Sequence, residues 1–261
     1  MLSVSGASAN VDWPAPTSGG LLGAGVVFKE VSFDTKVYGD LPSVFIHQMF
    51  NTEVDGSYIG LQTDENGQPN KVVFTMFIGA HNFANGLYYV NADDPAFLHG
   101  LTCDADNQTP AESRGHISCI TDFAWKLDTW YRLTIRMGDA TRTSNGTKLF
   151  YWEAYLSELS DDGSEVVIEH LLTKIATPSR YIASARYASA EPFYNPSGKS
   201  MCNFVGSAWR GQILVSYPVY DRMTISGHPE GGVLNASCDD NTVYSEFEGK
   251  KVLFVHYDGN G

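Results

Sequence analysis

Apolar and polar residues alternate along this chain in short runs, a period of two that sends successive side chains to opposite faces of a β-strand. The runs GVVFKEVSF at 25–33, SVFIHQMF at 43–50, SYIGLQT at 57–63 and KVVFTMFIG at 71–79 come first. HISCITDF at 116–123, TWYRLTIRM at 129–137, TKLFYWEAYLSEL at 147–159 and EVVIEHLLT at 165–173 follow. QILVSYPVY at 211–220, DRMTISG at 221–227 and KVLFVHY at 251–257 close the series. Between them, DENGQPN at 64–70, TSNGT at 143–147, DDG at 161–163 and EGG at 230–232 supply residues that accept positive φ, which suits antiparallel hairpins. Residues 165–176 also fit a helical spacing, and are read here as a strand. The pattern predicts an all-β fold, an antiparallel β-sandwich of jelly-roll or concanavalin-like type. Strand-like runs recur without a linker, so residues 25–261 are read as one domain behind an N-terminal extension of residues 1–24.

Alternation assigns faces. In LFYWEAYL one face carries Phe150, Trp152, Ala154 and Leu156, and the other Leu149, Tyr151, Glu153 and Tyr155. In YRLTIRM an apolar face opposes Arg132, Thr134 and Arg136, and in SYIGLQT Ile59 and Leu61 oppose Tyr58, Gly60 and Gln62. A sheet with one apolar face and one face of Tyr, Arg, Gln and Glu forms a groove suited to sugars, which stack on aromatic rings and bond to planar polar groups. The expected ligand-binding set is Tyr58, Gln62, Arg132, Arg136, Tyr151, Glu153 and Tyr155, on strands 56–63, 130–137 and 147–156. The bland alternative is that these side chains pair across strands on an ordinary solvent face.

No nucleophile elbow, phosphate-binding loop, dinucleotide fingerprint or metalloprotease motif is present. Catalytic candidates are therefore single residues. His47 shares a strand face with Phe45 and Met49, with Gln48 opposite, and is either a core histidine or a base in a cleft. Tyr58 and Tyr151 are alternative bases for a polysaccharide lyase, with Arg132 or Arg136 neutralising a uronate. A glycosidase needs two carboxylates about 5 to 10 Å apart, for which Glu153 and Glu30 are the candidates.

Composition narrows the partners. With 261 residues, 43% hydrophobic, 13% aromatic and 18% charged, the chain can build a core. Lys and Arg number 17 against 30 Asp and Glu, a formal charge of −13 that repels phosphate backbones and anionic bilayers. No run approaches the roughly 18 to 20 apolar residues needed to cross a membrane. Nucleic acid and membrane insertion are thus not expected, whereas self-association through sheet edges is a third reading.

Cys103, Cys119, Cys202 and Cys238 have no zinc-site spacing and permit three disulfide connectivities, of which 103–119 with 202–238 is preferred on locality. Glycosylation sequons at Asn107, Asn145 and Asn235, with the even cysteine count, point to a secreted glycoprotein. Asp104, Asp106 and Asn107, read as a loop, are a candidate calcium site, with Asp93 and Asp94 nearby.

The order of GSYIGLQTDENGQPNKVVFTMF, a cysteine-containing loop, WKLDTWYRLTIRM and TKLFYWEAYLSE resembles a family of secreted bacterial and fungal domains of unknown function. The likeness spans about residues 25–215 and includes a Y-x-G-x-Q strand at Tyr58–Gln62; Asp128 and Thr129 stand where that family prefers glycine. The resemblance implies a lectin-like or jelly-roll sandwich and a secreted setting, and carries no catalytic residues. The combined expectation is a secreted carbohydrate-binding protein, with a polysaccharide lyase or glycoside hydrolase in the same groove, or a structural protein assembling by its edges, as alternatives.

Overall fold

The computed structural model of the chain describes residues 9–12, 28–53, 56–91, 101–107, 114–192, 209–221, 223–224, 241–247 and 250–257. Their elements are β1 (Ala9–Asp12), β2 (Glu30–Asp40), β3 (Val44–Thr52), β4 (Gly56–Thr63), β5 (Pro69–Gly79), α1 (Ala80–Ala84), β6 (Tyr89–Asn91), β7 (Thr102–Asn107) and β8 (Arg114–Asp122). β9 (Tyr131–Ser144), β10 (Thr147–Leu159), β11 (Val166–Thr177), β12 (Ile182–Pro192), β13 (Arg210–Ser216), β14 (Val219–Tyr220), β15 (Met223–Thr224), β16 (Asn241–Phe247) and β17 (Lys250–Tyr257) complete them.

All described pairings are antiparallel, and they build two sheets. Sheet I has the order β1-β12-β3-β4-β5-β8-β7, and sheet II the order β16-β17-β13-β2-β9-β10-β11-β6, with β14 and β15 attached beside β2. One hydrophobic cluster lies between them. Ile46, Phe50, Ile59, Leu61, Phe74 and Met76 from sheet I meet Phe33, Leu133, Ile135, Trp152, Ala154 and Leu156 from sheet II, as the alternation requires. This is the predicted antiparallel β-sandwich.

The β9–β10 hairpin shows how local sequence makes an element. Asn145 (φ 47°) and Gly146 (φ 77°) both sit in the left-handed region. That conformation matches the strand twist and is cheapest for Asn-Gly. The strand read at 165–173 is β11, extending to Thr177. Two readings change. Residues 9–12, inside the stretch read as an extension, form β1 and pair with β12 from Tyr187 to Ala190. Residues 102–107, read as an acidic loop, are strand β7.

Cys103 and Cys119 face each other across β7 and β8 and are joined in a disulfide. Closing a loop of this length removes about 3 kcal/mol of denatured-state entropy. Cys202 and Cys238 lie outside the described residues, as do Asp93, Asp94 and Asn235.

Candidate functional site

The strands expected to form one groove belong to different sheets. β4, with Tyr58 and Gln62, is in sheet I, whereas β9 and β10, with Arg132, Arg136, Tyr151, Glu153 and Tyr155, are in sheet II. Since both sets point away from the shared core, they occupy opposite outer faces of the sandwich. The single groove is therefore corrected to two separate surfaces. Alternation tells which way a side chain points relative to its own sheet, and nothing about which sheet a strand joins.

On the outer face of sheet II the polar side chains bind one another. Register aligns Glu30 on β2 with Arg136 on β9, Arg136 with Glu153 on β10, and Glu153 with Lys174 on β11, a row of alternating charge. Arg136 Nε lies 2.5 Å from Glu30 Oε2 and Lys174 Nζ 3.1 Å from Glu153 Oε1, while the Tyr155 hydroxyl donates to Glu153 Oε2 at 2.6 Å. The Arg136 guanidinium also lies over the Tyr155 ring at 5.0 Å. Burial and the hydrogen bond to Glu153 push the Tyr155 phenol well above its usual range. Four residues along β9, Arg132 makes two bonds to Asp34, at 2.7 and 3.1 Å, and these hold its guanidinium more firmly charged than usual. Tyr151 packs against Tyr89 beside a small cluster of Leu87, Leu149 and Ala176. Cross-strand pairing accounts for this face.

The outer face of sheet I is different. Register sets Met49, Tyr58, Thr75 and Ser118 in one row across β3, β4, β5 and β8. His47, Gly60 and Val73 form the next, with Ser189 of β12 beside His47. Such a face is ordinarily wet, yet Phe45, His47, Val73, Thr75 and Ser189 are buried. Tyr58, Gln62, Lys71, Phe77 and His116 are half-buried. A chain of ring contacts crosses it, with centroids 4.6 Å apart for Phe45–His47, 5.4 Å for His47–Tyr58, 5.8 Å for Tyr58–Phe77 and 6.3 Å for Phe77–His116.

His47 and Tyr58, both singled out as candidate bases, thus come together. Glu191, which sequence reasoning missed, joins them, its Oε1 3.9 Å from His47 Nδ1. Its strand, β12, reads IASARYASAEP, and the Ala and Ser positions hide the alternation that marks a strand. Burial pushes the His47 imidazole down to about 3, so it is neutral at neutral pH and a weak base. Burial raises the Tyr58 phenol, hydrogen bonds with Thr75 and Ser118 oppose the rise, and Glu191 adds to it. Burial also raises the Glu191 carboxyl. Neither Arg132 nor Arg136 shares the face of His47 and Tyr58; of the bases read for a uronate lyase, Tyr151 stands on the sheet that carries both arginines. Among the described residues no group of three or more His, Cys, Asp or Glu is arranged to hold a metal.

The buried imidazole makes stability depend on pH. An unfolded chain protonates His47 near 6.5 and the folded one only near 3, so unfolding takes up a proton between these values and stability falls as pH drops. The full contribution is about 1.4 kcal/mol per pH unit. Glu191, with its raised folded value, opposes this above about 4.5, because the folded state then holds the extra proton. Urea unfolding of wild type and His47→Gln across that range should show a shallower acid limb in the variant; parallel limbs would mean that His47 titrates as freely folded as unfolded.

The chain matches no known family model, and no curated protein is significantly similar to it. A role for the chain rests on the site itself.

Proposed function

We propose that the chain is a secreted carbohydrate-binding protein whose ligand lies on the outer face of sheet I. One observation carries the reading: half-buried Tyr58, Phe77 and His116 form a continuous aromatic strip over three adjacent strands, on the face that also presents Gln62 and Lys71. Ring faces and edges bind the apolar side of a sugar, and amide and ammonium groups bond to its hydroxyls. The disulfide Cys103–Cys119 supports an oxidising, extracellular setting. Among the described residues no helix is long and apolar enough to cross a membrane. Of the expected binding set, Tyr58 and Gln62 remain, while the residues of β9 and β10 serve their own sheet.

A glycan array run with and without EDTA tests binding and any calcium requirement together. Wild type should retain glycans that Tyr58→Ala releases; an array on which wild type retains none removes the reading.

A second reading, assembly through sheet edges, has its own observation. Val166, Val167 and Ile168 on β11 are 47%, 61% and 47% exposed, a consecutive apolar stretch of the kind that strand edges ordinarily protect. Light scattering at two concentrations decides it: mass rising with concentration supports assembly, and an invariant monomer ends it.

A further inference from the structure

The exposed large hydrophobic residues among those described are consecutive: Val166, Val167 and Ile168, at the start of β11. Glu165 and Glu169 beside them are exposed as well. Successive side chains of a strand leave opposite faces, so an unbroken exposed run means that this end of β11 meets water on both. From Leu172 onward the strand returns to the core, with Leu172, Ile175 and Ala176 buried. The apolar triplet is therefore not needed to close the sandwich.

The backbone of this stretch is open too. β10 runs beside β11 from Leu159–Val166 to Phe150–Thr177, and β6 takes the opposite edge at Lys174, Ile175 and Ala176. Between Val166 and Thr173 no strand among the described residues occupies that edge. Alternate residues of an antiparallel strand turn their N–H and C=O groups to each side, so such an edge presents a row of donors and acceptors to an incoming chain. Register shifts on either side leave Ile168–Leu171 as the regular stretch, in step with Tyr155–Glu158. The turn that leads into β11 is fixed. The Ser160 amide donates to the Glu165 carbonyl at 2.8 Å, and Asp162 Oδ1 accepts from the Ser160 and Ser164 hydroxyls at 2.6 and 2.7 Å and from the Ser164 amide at 3.0 Å. A strand held in this way loses little freedom when another pairs with it.

Charge selects the occupant. Asp161, Asp162, Glu165 and Glu169 flank the triplet, and the run from Leu159 to Thr173 holds no Lys or Arg. Lys126, on the neighbouring β10 side, is already bound to Glu158 at 3.0 Å. We infer that Ile168–Leu171 is a docking edge for a short extended segment of a partner protein in which Lys or Arg alternates with apolar residues. Main-chain bonds add the segment to sheet II as one more strand, its apolar side chains cover the triplet, and its cations answer the carboxylates. A second copy fits this edge less well. Pairing the edge with itself brings the glutamates of both copies together, on chains that each carry a formal charge of −13.

Hydrogen exchange of the full chain, with a peptide of alternating Lys and Val as the probe, tests the assignment. The peptide should slow exchange at residues 168–171, whereas a Glu/Val peptide and a fully N-methylated Lys/Val peptide should not. Ile168→Lys, a change at an exposed position, should melt close to wild type and bind the Lys/Val peptide about tenfold more weakly. Protection by the Lys/Val and Glu/Val peptides alike overturns the cationic partner, and protection by the N-methylated peptide overturns strand pairing. No protection by any peptide overturns the docking edge. Mass that rises with concentration in wild type but not in Ile168→Lys gives the edge to a second copy and overturns the partner segment.

Discussion

Arg132→Ala should lower unfolding free energy by about 2 to 3 kcal/mol and leave glycan affinity per folded molecule unchanged. Asp34 is 5% exposed and accepts two side-chain bonds from Arg132 in fork geometry. Removing one partner of a buried pair leaves the other charge poorly compensated, at roughly 3 to 5 kcal/mol in a dry interior. The smaller figure follows because the Arg132 side chain keeps 32% of its surface in water. Urea denaturation checks the stability half and titration with a retained glycan the other half. A stable variant that no longer binds would return Arg132 to the ligand-binding set and make the row on sheet II more than structural.

Gly60→Ala should cost about 3 kcal/mol, the upper part of the range for forced overpacking. Gly60 faces His47 across β3 and Val73 across β5. A Cβ there would run into the Ile46 carbonyl oxygen and meet the His47 Cβ at 2.7 Å and the Phe45 ring at 2.8 Å. The carbonyl is backbone and cannot swing aside. The variant must part β3 from β4 or displace His47, so loss of stability should come with a flatter acid limb as His47 regains water. A melting curve superimposed on that of wild type would show that the two strands have room the structure does not give them.

Much of the fold was legible because a period of two survives in most strands. β10 runs from Thr147 to Leu159 as the alternation predicts, and its turn residues Asn145 and Gly146 hold the left-handed conformations that their identities allow. Locality also chose the partner of Cys103 correctly, since β7 and β8 are close in sequence and set the two cysteines opposite each other. What escaped was long-range. β2 pairs with β9, and β12 with β3, across about a hundred residues or more, and no local signal encodes that choice. Tyr58 and Arg132 therefore looked like neighbours on one groove while standing on opposite sides of the molecule. β12 escaped because Ala188 and Ala190 reach the core with methyl groups alone, and with it Glu191 was hidden from the site it completes.

The same contrast separates the two outer faces. On sheet II, Glu30, Arg136, Glu153 and Lys174 answer each other's charge, and a ligand would have to break that row to bind. On sheet I, the rings of Tyr58, Phe77 and His116 stay half-exposed.

The most direct test of this division is a map of backbone amide shifts as a glycan retained on the array is titrated into isotopically labelled protein. The largest shifts should fall on β4 and β5, with β9 and β10 unmoved. Shifts centred on Arg132, Arg136 and Glu153, with Tyr58 and Gln62 unmoved, would contradict the placement of the ligand on sheet I.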